Sequence, residues 1–254
     1  MTIEAIEVEA LRTKIALSCR ILSQQGIMRE VTGHVSARIP GSDDILIRCR
    51  AHAGDPGVGR TRPSDIRRTD LDGGGNDTDG YWLPGEFSLH AEIYKARPDV
   101  VAVVHGHPRS SLLCGIMGLD LRPVFGGYDP VAMMLTLDQI AVFRRSILIS
   151  SPELGQQLVA TLGGRAACLL SGHGIVTVGR SVEEATVTAI KIETLAEVTV
   201  QIAQAGGSAS DISVEDQEIL SPMTRRHGAA MPVNQWTFDL YAEQLREVEK
   251  GRER

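Results

Sequence analysis

The chain has 254 residues, of which 43% are hydrophobic, enough to bury a sizeable core in one large domain or two small ones. A formal net charge of −6 argues against non-specific nucleic-acid binding, and no stretch reaches the roughly 18 apolar residues of a membrane span. Four scattered cysteines without a CxxC pair, and an N-terminus without a signal-peptide pattern, favour reduced thiols and a cytoplasmic protein.

The chain opens with a predicted helix and a predicted hairpin. Residues 4–25 carry a helix-like apolar stripe that ends at Gly26. Residues 35–39 and 47–50 alternate apolar and polar side chains around the turn GSDD, which predicts a β-hairpin. Residues 51–80 are polar and rich in Gly, Pro, Asp and Arg. We interpret them as a long loop, called the excursion below. Long loops in compact domains more often have a function than not.

A helix and a strand follow the excursion. Residues 84–97 predict a helix that opens with Pro84 and an early Glu86, and residues 99–105 predict a buried strand. His105 and His107 lie two apart at the end of this strand, so they share a face and both reach one metal ion. Without a third ligand, the same pair is read as two histidines at a surface turn.

The second half of the chain supplies a third histidine. His173 sits between two glycines in SGHG, which joins predicted strands at 167–170 and 175–178. A histidine flanked by glycines at a strand end has room for an ion, although alone it is more often a structural turn residue. With the HxH pair it completes a set that suits a catalytic Zn²⁺-like or Mn²⁺-like ion with an open position.

The order of predicted elements indicates the fold class. Further helices are predicted at 108–117, at 151–163 and, from a capping box at Ser181 and Glu184, as far as Gly206, while 121–149 mixes short strands with a helix. This order predicts a single-domain α/β/α sandwich around a mixed, mainly antiparallel central sheet. We expect residues 1–207 to form the catalytic domain and residues 208–254 to form a tail that packs on the body or on a neighbouring subunit.

Two segments carry a resemblance to a known family. EFSLHAEIYKARPDVVAVVHGHP, followed some 60 residues later by LLSGHGIVTVGRSVEEA, resembles the class II aldolase and adducin-like family, from about residue 8 to about residue 205. The resemblance implies a class II aldolase-like fold and one divalent ion per subunit, bound by His105, His107 and His173. It also implies that Glu86 is the acid/base beside the metal. The residues do not choose between zinc and manganese.

The resemblance also bears on assembly and on the class of protein. It implies a homotetramer with active sites at subunit interfaces, where Tyr128 is a general acid supplied by a neighbouring subunit. Adducin-like members are non-enzymatic and lack the metal set. Because this chain keeps the set, an enzyme is favoured, and a non-catalytic adducin-like oligomerisation module is the alternative from a different class.

The chain departs from the sugar-phosphate aldolases where those hold a phosphate. His34 replaces the Asn of their GN-x-S turn, Ser36 keeps the serine, and Pro84-Gly85 stands in place of a Ser-Ser pair. Proline and glycine have no hydroxyl to offer a phosphate. Arg48 and Arg50, predicted on one face of a hairpin strand, suit a carboxylate instead, or else belong to a solvated edge strand.

The segment R-C-R, the long insert with T-x-P-x-D-I and the segment GHVSAR resemble a branch of the family that contains decarboxylases of hydroxylated aromatic or pyridine dicarboxylates. The leading hypothesis is a divalent-metal-dependent lyase that decarboxylates an ortho-hydroxylated, dihydroxyphthalate-like carboxylate in aromatic catabolism, with a small anionic substrate bound by His34, Ser36, Arg48 and Arg50. The alternative is a class II retro-aldolase acting on a small hydroxy-carbonyl compound. Both reactions leave an electron pair on carbon, and Lewis-acid stabilisation of such charge is worth several kcal/mol.

Two side chains near these motifs are assigned structural roles. His90 lies four residues after Glu86 on the same helix face, where we interpret it as a core histidine, with a fourth metal ligand or an orienter of Glu86 as alternatives. Glu193 is interpreted as an ordinary helix-face charge.

Overall fold

A computed structural model describes residues 3–74, 78–221 and 233–252. The helices are α1 (Ile3–Gln24), α2 (Phe87–Ala96), α3 (Arg109–Met117), α4 (Pro130–Leu137), α5 (Pro152–Leu162), α6 (Val182–Gln204), α7 (214–221) and α8 (Val233–Arg252). The strands are β1 (His34–Arg38), β2 (Ile45–Arg48), β3 (Arg50–Ala51), β4 (Ile66–Thr69), β5 (Tyr81–Trp82), β6 (Ala102–Gly106), β7 (Ala141–Phe143), β8 (Ala167–Leu170) and β9 (Gly174–Gly179).

Seven of the strands form one central sheet in the order β4-β2-β1-β6-β9-β8-β7. Every neighbouring pair is antiparallel except β7 and β8, which are parallel. One face of the sheet carries an aliphatic core with α1, α6 and α8, and the other face carries a second core with α2 and α5. The predicted α/β/α sandwich with a mixed, mainly antiparallel sheet is therefore confirmed.

The excursion at residues 51–80 differs from its prediction, because part of it joins the sheet. Residues 66–69, with the sequence IRRT, form the edge strand β4 beside β2. The predicted hairpin strand at 47–50 ends at Arg48. Arg50 begins a separate two-stranded sheet, where it pairs with Trp82 of β5. Arg48 and Arg50 therefore belong to different sheets and do not share one face of a strand.

The end of β6 and the start of β9 approach each other closely, and β6 also approaches the loop that precedes β1. A Cβ atom added at Gly174 would lie 2.2 Å from the carbonyl oxygen of Gly106, and one added at Gly106 would lie 2.7 Å from the carbonyl oxygen of Ile27. The backbone N–H of His107 donates to the same Ile27 carbonyl at 2.8 Å. Backbone packing, which only glycine permits here, thus fixes where the HGH segment leaves the sheet.

The C-terminal helix α8 packs on the body of the same chain. Phe238, Ala242 and Leu245 are buried in the core that α1 and α6 line, and Arg20 Nη1 lies 3.3 Å from Glu249 Oε1. The predicted tail also includes residues 222–232, which lie outside the described residues. Among the helices in the described part of the chain, none combines the length and the apolar character needed to cross a bilayer.

The close approach at Gly174 predicts a cost for any side chain there. We expect Gly174→Ala to lower the free energy of unfolding by about 1–3 kcal/mol, because the facing atom is backbone and cannot rotate away. Urea denaturation measures this change. Gly164→Ala is the matched control, since a Cβ at Gly164 meets open space, and its change should stay below about 0.5 kcal/mol. Equal stability of the two variants would contradict the packing argument.

Candidate metal centre

Four side chains from distant parts of the chain converge at one end of β6 and β9. Glu86 directly precedes α2, His105 lies in β6, His107 follows that strand, and His173 lies in the turn between β8 and β9. One possible ligand atom from each residue lies within 4.8 Å of those of the other three. The structure therefore brings together the three histidines and the glutamate that the sequence singled out.

His105 is held with one nitrogen free to bind a metal. Its Nδ1 lies 2.9 Å from the carbonyl oxygen of Ile175, which accepts only, so Nδ1 carries the proton and donates. Nε2 then carries a lone pair and points into the cluster. This nitrogen is buried and has no hydrogen-bond partner within the described residues. A carbonyl that fixes the tautomer of an imidazole in this way is typical of metal-binding histidines.

His173 also has unpaired nitrogens. Both of its ring nitrogens are buried without a hydrogen-bond partner in the described ranges. Its ring centroid lies 4.9 Å from that of His105 and 5.1 Å from that of His107. Buried polar atoms are normally paired, so these nitrogens fit a cation that completes their bonding. Three imidazoles with one carboxylate form a donor set that suits Zn²⁺ or Mn²⁺.

Glu86 is oriented by one backbone donor. Its Oε1 accepts a hydrogen bond from the backbone N–H of Ile149 at 2.8 Å, while its Oε2 lies 3.2 Å from His105 Nε2 and 3.4 Å from His173 Nε2. Burial by itself raises the pKa of this carboxyl, whereas the Ile149 N–H bonded to Oε1 lowers it, and a cation held by the facing imidazoles would favour the ionised form further. Glu86 is therefore ionised at neutral pH, and its Oε2 is available to a cation or a proton.

His107 is prepared to bind a cation at neutral pH. Burial, helped by the neighbouring imidazoles of His105 and His173, lowers the pKa of His107 to about 4. Metal binding requires the neutral imidazole, so no proton has to leave His107 at pH 7.

Glu193 was missed as a supporting residue. Its carboxylate accepts hydrogen bonds from the backbone N–H groups of Ser110 and Ser111 at 2.7 and 2.9 Å, and from the Ser111 hydroxyl at 2.7 Å. These donors form the first turn of α3, which begins two residues after His107. Glu193 thus anchors the segment that carries His107, and it is not the ordinary helix-face charge that we expected.

Of the predicted substrate-binding residues, the structure places His34 beside the cluster. His34 is the cross-strand partner of His105, and the ring centroids lie 5.0 Å apart. Ser36 lies on the same face of β1 but is fully buried, and its hydroxyl is bonded to His90 and Tyr94. The prediction that Ser36 contacts substrate is corrected accordingly, since its oxygen is used inside the protein.

The prediction for Arg48 also needs correction. Ser36 pairs with Ile47, so Arg48, the next residue along β2, points to the opposite face of the sheet from the imidazoles. Its buried guanidinium pairs with Asp55 at 2.6 Å and donates to the Thr61 hydroxyl at 3.1 Å. Arg48 therefore anchors the excursion. Arg50 is half-buried, and its guanidinium has no hydrogen bond or ion pair within the described ranges.

Tyr128 lies on the surface between α3 and α4. Its side chain is 76% exposed, and its ring packs edge-on against Phe125. The next residue, Asp129, caps α4 by accepting the Ala132 N–H and pairs with Lys191 of α6 at 2.6 Å. A capped and ion-paired segment thus presents an exposed phenol at the surface of this chain.

Two relatives are similar over most of the chain. A 3,4-dihydroxyphthalate decarboxylase of Rhodococcus jostii (strain RHA1) is 38% identical, over 84% of this chain and 89% of that protein. A protein of the same description from Arthrobacter keyseri is 37% identical, over 81% of this chain and 84% of its own length.

The fold and the family agree with this similarity. The crystal structure of an aldolase II superfamily protein from Pseudomonas syringae superposes with a TM-score of 0.79 at 23% identity, covering 95% of this chain and 94% of that one. The family described as Class II Aldolase and Adducin N-terminal domain matches residues 13–200. The chain therefore belongs to the class II aldolase and adducin family, in the branch represented by the dihydroxyphthalate decarboxylases.

Proposed function

We propose that this protein is a divalent-metal-dependent carbon–carbon lyase that decarboxylates an ortho-hydroxylated aromatic carboxylate of the dihydroxyphthalate type in aromatic catabolism. The observation that carries the proposal is the convergence of three imidazoles and Glu86 at one point, where buried nitrogens of His105 and His173 have no hydrogen-bond partner among the described residues. The similarity to two dihydroxyphthalate decarboxylases over more than four-fifths of the chain supports the choice of reaction.

Breaking the bond to the carboxylate leaves an electron pair on the ring, and the residues of this site are suited to stabilise that charge. A bound divalent ion supplies Lewis-acid stabilisation to the substrate oxygen next to the bond that breaks. Glu86, ionised and fixed through Oε1, accepts the proton of the ring hydroxyl at Oε2. A proton is added to the ring carbon that carries the carboxylate. The bond between that carbon and the carboxylate then breaks, CO₂ leaves, and the electron pair of the bond restores the aromatic ring.

The proton that adds to the ring needs a second donor, for which we propose Tyr128 of a neighbouring subunit. Tyr128 is largely exposed in its own chain, and the Asp129–Lys191 ion pair holds its backbone. Sites completed across an interface also require an oligomer, which we propose to be a homotetramer of the kind that the resemblance implies.

Removing one imidazole should abolish tight metal binding. We expect the purified protein to bind about one Zn²⁺ or Mn²⁺ per chain, and His173→Ala to weaken binding by at least roughly 100-fold, because a ligand is lost rather than a supporting contact. Isothermal titration calorimetry on chelator-treated protein measures both. His52→Ala is the control, since His52 is exposed and packs on Trp82 outside the cluster. Equal affinity of the His173→Ala and wild-type proteins would reject the site.

Product analysis distinguishes the candidate reactions. We expect CO₂ from dihydroxyphthalate-type acids and no aldehyde from ketose phosphates when the metal-loaded protein is incubated with each. Glu86→Gln should lower kcat by roughly 100- to 10,000-fold, because its amide cannot accept the substrate proton. Aldehyde without CO₂ would favour a retro-aldolase. Sub-stoichiometric metal with neither product would favour a non-catalytic oligomerisation module.

Complementation between inactive subunits tests the role of Tyr128. Tyr128→Phe and Glu86→Gln proteins should each be inactive alone, whereas co-expressed subunits should assemble into oligomers in which about one quarter of the sites have an intact Glu86 and an intact neighbouring Tyr128. Recovered CO₂ release, with the oligomer isolated by gel filtration, supports donation between subunits. Failure of mixed oligomers to regain activity would place the proton donor within the same chain.

A further inference from the structure

A chain of buried hydrogen bonds starts at His34, beside the metal centre, and runs into the protein. His34 Nδ1 lies 2.7 Å from His90 Nε2, His90 Nδ1 lies 2.6 Å from Ser36 Oγ, and Ser36 Oγ lies 2.8 Å from Tyr94 OH. All four side chains are buried, and His90 and Ser36 are completely inaccessible. We call these four residues the His34 chain.

If each imidazole carries one proton, the hydrogen bonds of the His34 chain can run in either of two directions. His34 Nδ1 and His90 Nε2 lie 2.7 Å apart, so only one of the two nitrogens carries a proton, and burial of both rings disfavours a charged imidazolium. Each ring is therefore neutral and carries one N–H. In the inward arrangement, Tyr94 donates to Ser36, Ser36 to His90, and His90 to His34, which leaves the His34 proton on Nε2. In the outward arrangement every donor is reversed, and His34 Nε2 carries a lone pair.

The hydrogen bonds open to Tyr94, at the inner end of the His34 chain, favour the inward arrangement. In the outward arrangement the Tyr94 hydroxyl has to donate to the carbonyl oxygen of Val101, which lies 3.5 Å away and already accepts the Arg38 N–H at 2.8 Å. In the inward arrangement the same hydroxyl donates to Ser36 Oγ at 2.8 Å. That hydrogen bond forms in either arrangement, so the two differ only in their terminal donor. The outward arrangement leaves the buried Tyr94 O–H with one long contact, whereas the inward arrangement ends on a His34 N–H. A buried donor without a good acceptor costs free energy, so Tyr94 donates toward the metal centre.

His34 then presents an N–H to the pocket. Its Nε2 lies on the side of the ring away from His90 and has no hydrogen bond within the described residues. The ring keeps 6% exposure and packs against His105. We propose that His90, Ser36 and Tyr94 are positioning residues that hold His34 as a hydrogen-bond donor, through Nε2–H, to an anionic oxygen that stays on the substrate ring.

The His34 chain fits a binding role for His34 rather than a proton-transfer role. A proton that left Nε2 would have to be replaced along the chain from Tyr94, whose phenol is buried. Burial raises the pKa of Tyr94 above its usual range, so the buried phenolate that this transfer creates is unfavourable. The His34 chain ends inside the protein, so it orients the N–H donor of His34 and does not supply protons. The identity of the substrate oxygen rests on the proposed function, but the tautomer of His34 does not.

Nitrogen NMR tests the arrangement directly. In ¹⁵N-labelled, zinc-loaded protein we expect both His34 and His90 to be the Nε2–H tautomer, as read from two-bond ¹H–¹⁵N correlations and assigned with His34→Gln and His90→Gln variants. Ser36→Ala removes the donor to His90 Nδ1, and we expect both rings to shift toward a mixture of tautomers. An Nδ1–H tautomer in the wild type, or no shift in Ser36→Ala, would overturn the proposal.

A second buried serine of the protein provides a matched control for Ser36→Ala. Ser18 is also fully buried, and its hydroxyl is paired with Thr186 Oγ1 at 2.6 Å between α1 and α6. Ser18→Ala therefore removes a comparable buried hydrogen bond elsewhere in the protein. We expect it to leave the tautomers of His34 and His90 unchanged, which separates an effect on the His34 chain from a general loss of stability.

Kinetics with a dihydroxyphthalate-type acid tests the consequence for the substrate. We expect His34→Phe to lower kcat/KM roughly 10- to 100-fold, because a hydrogen bond to a charged oxygen is lost, and His34→Gln, which keeps an N–H, to lose less. Ser36→Ala should lower kcat/KM in the wild type but add nothing in His34→Phe, since it acts through His34. Fully additive effects would overturn the positioning role. If no such acid is turned over, the proposed function fails while the NMR result still decides the tautomer.

Discussion

The site depends on buried imidazole nitrogens that the protein brings together and leaves unpaired. His105 donates one nitrogen to a backbone carbonyl and keeps the other free, and both nitrogens of His173 lack a partner within the described residues. Leaving polar atoms buried and unpaired costs free energy that only a suitable ligand offsets, and a divalent cation is the ligand for which neutral imidazoles and a carboxylate are suited. Glu86 completes the set because the Ile149 N–H fixes one of its oxygens and leaves the other facing the two rings.

The rest of the fold keeps these nitrogens within reach of one ion. Antiparallel pairing of β6 with β9 brings the HGH segment beside the SGHG turn, and the contact between Gly174 and the Gly106 carbonyl allows no side chain between them. Glu193 of the neighbouring helix α6 holds the first turn of α3, so His107 lies between two anchored points. The aliphatic cores on both sheet faces hold these elements in place, and they explain how a chain with few aromatic residues supports a rigid site.

Local patterns in the sequence were sufficient for most of the sheet, the main helices and the three histidines, because alternation, capping and the HGH spacing act over a few residues, whereas Glu86 was assigned through the family resemblance. The supporting contacts were not predictable in that way. The edge strand β4 has the sequence IRRT, which shows no clear alternation, and Glu193 acts on donors 82 residues away. Arg48 was assigned to the substrate from its charge and from a predicted strand face shared with Arg50, whereas its actual partners are Asp55 and Thr61, which only the folded excursion brings to it. His90 of α2 was interpreted as a core histidine, and its two hydrogen-bond partners, His34 and Ser36, lie on β1 of the central sheet.

The location of Arg48 on the far side of the sheet is consistent with decarboxylation. When CO₂ leaves, the negative charge of the carboxylate disappears from that group. An arginine paired with the leaving carboxylate would stabilise the bound acid more than the transition state and would raise the barrier, since catalysis requires stronger interactions in the transition state than in the ground state. A neutral N–H from His34 and a cation beside the ring oxygen act on charge that stays on the ring or develops there. In the arrangement that we propose, the buried hydrogen bonds through His90 and Ser36 keep this donor of His34 in place throughout the reaction. Arg48, buried and paired with Asp55, therefore adds no ground-state stabilisation to a bound carboxylate, which favours loss of CO₂ over tight binding of the acid.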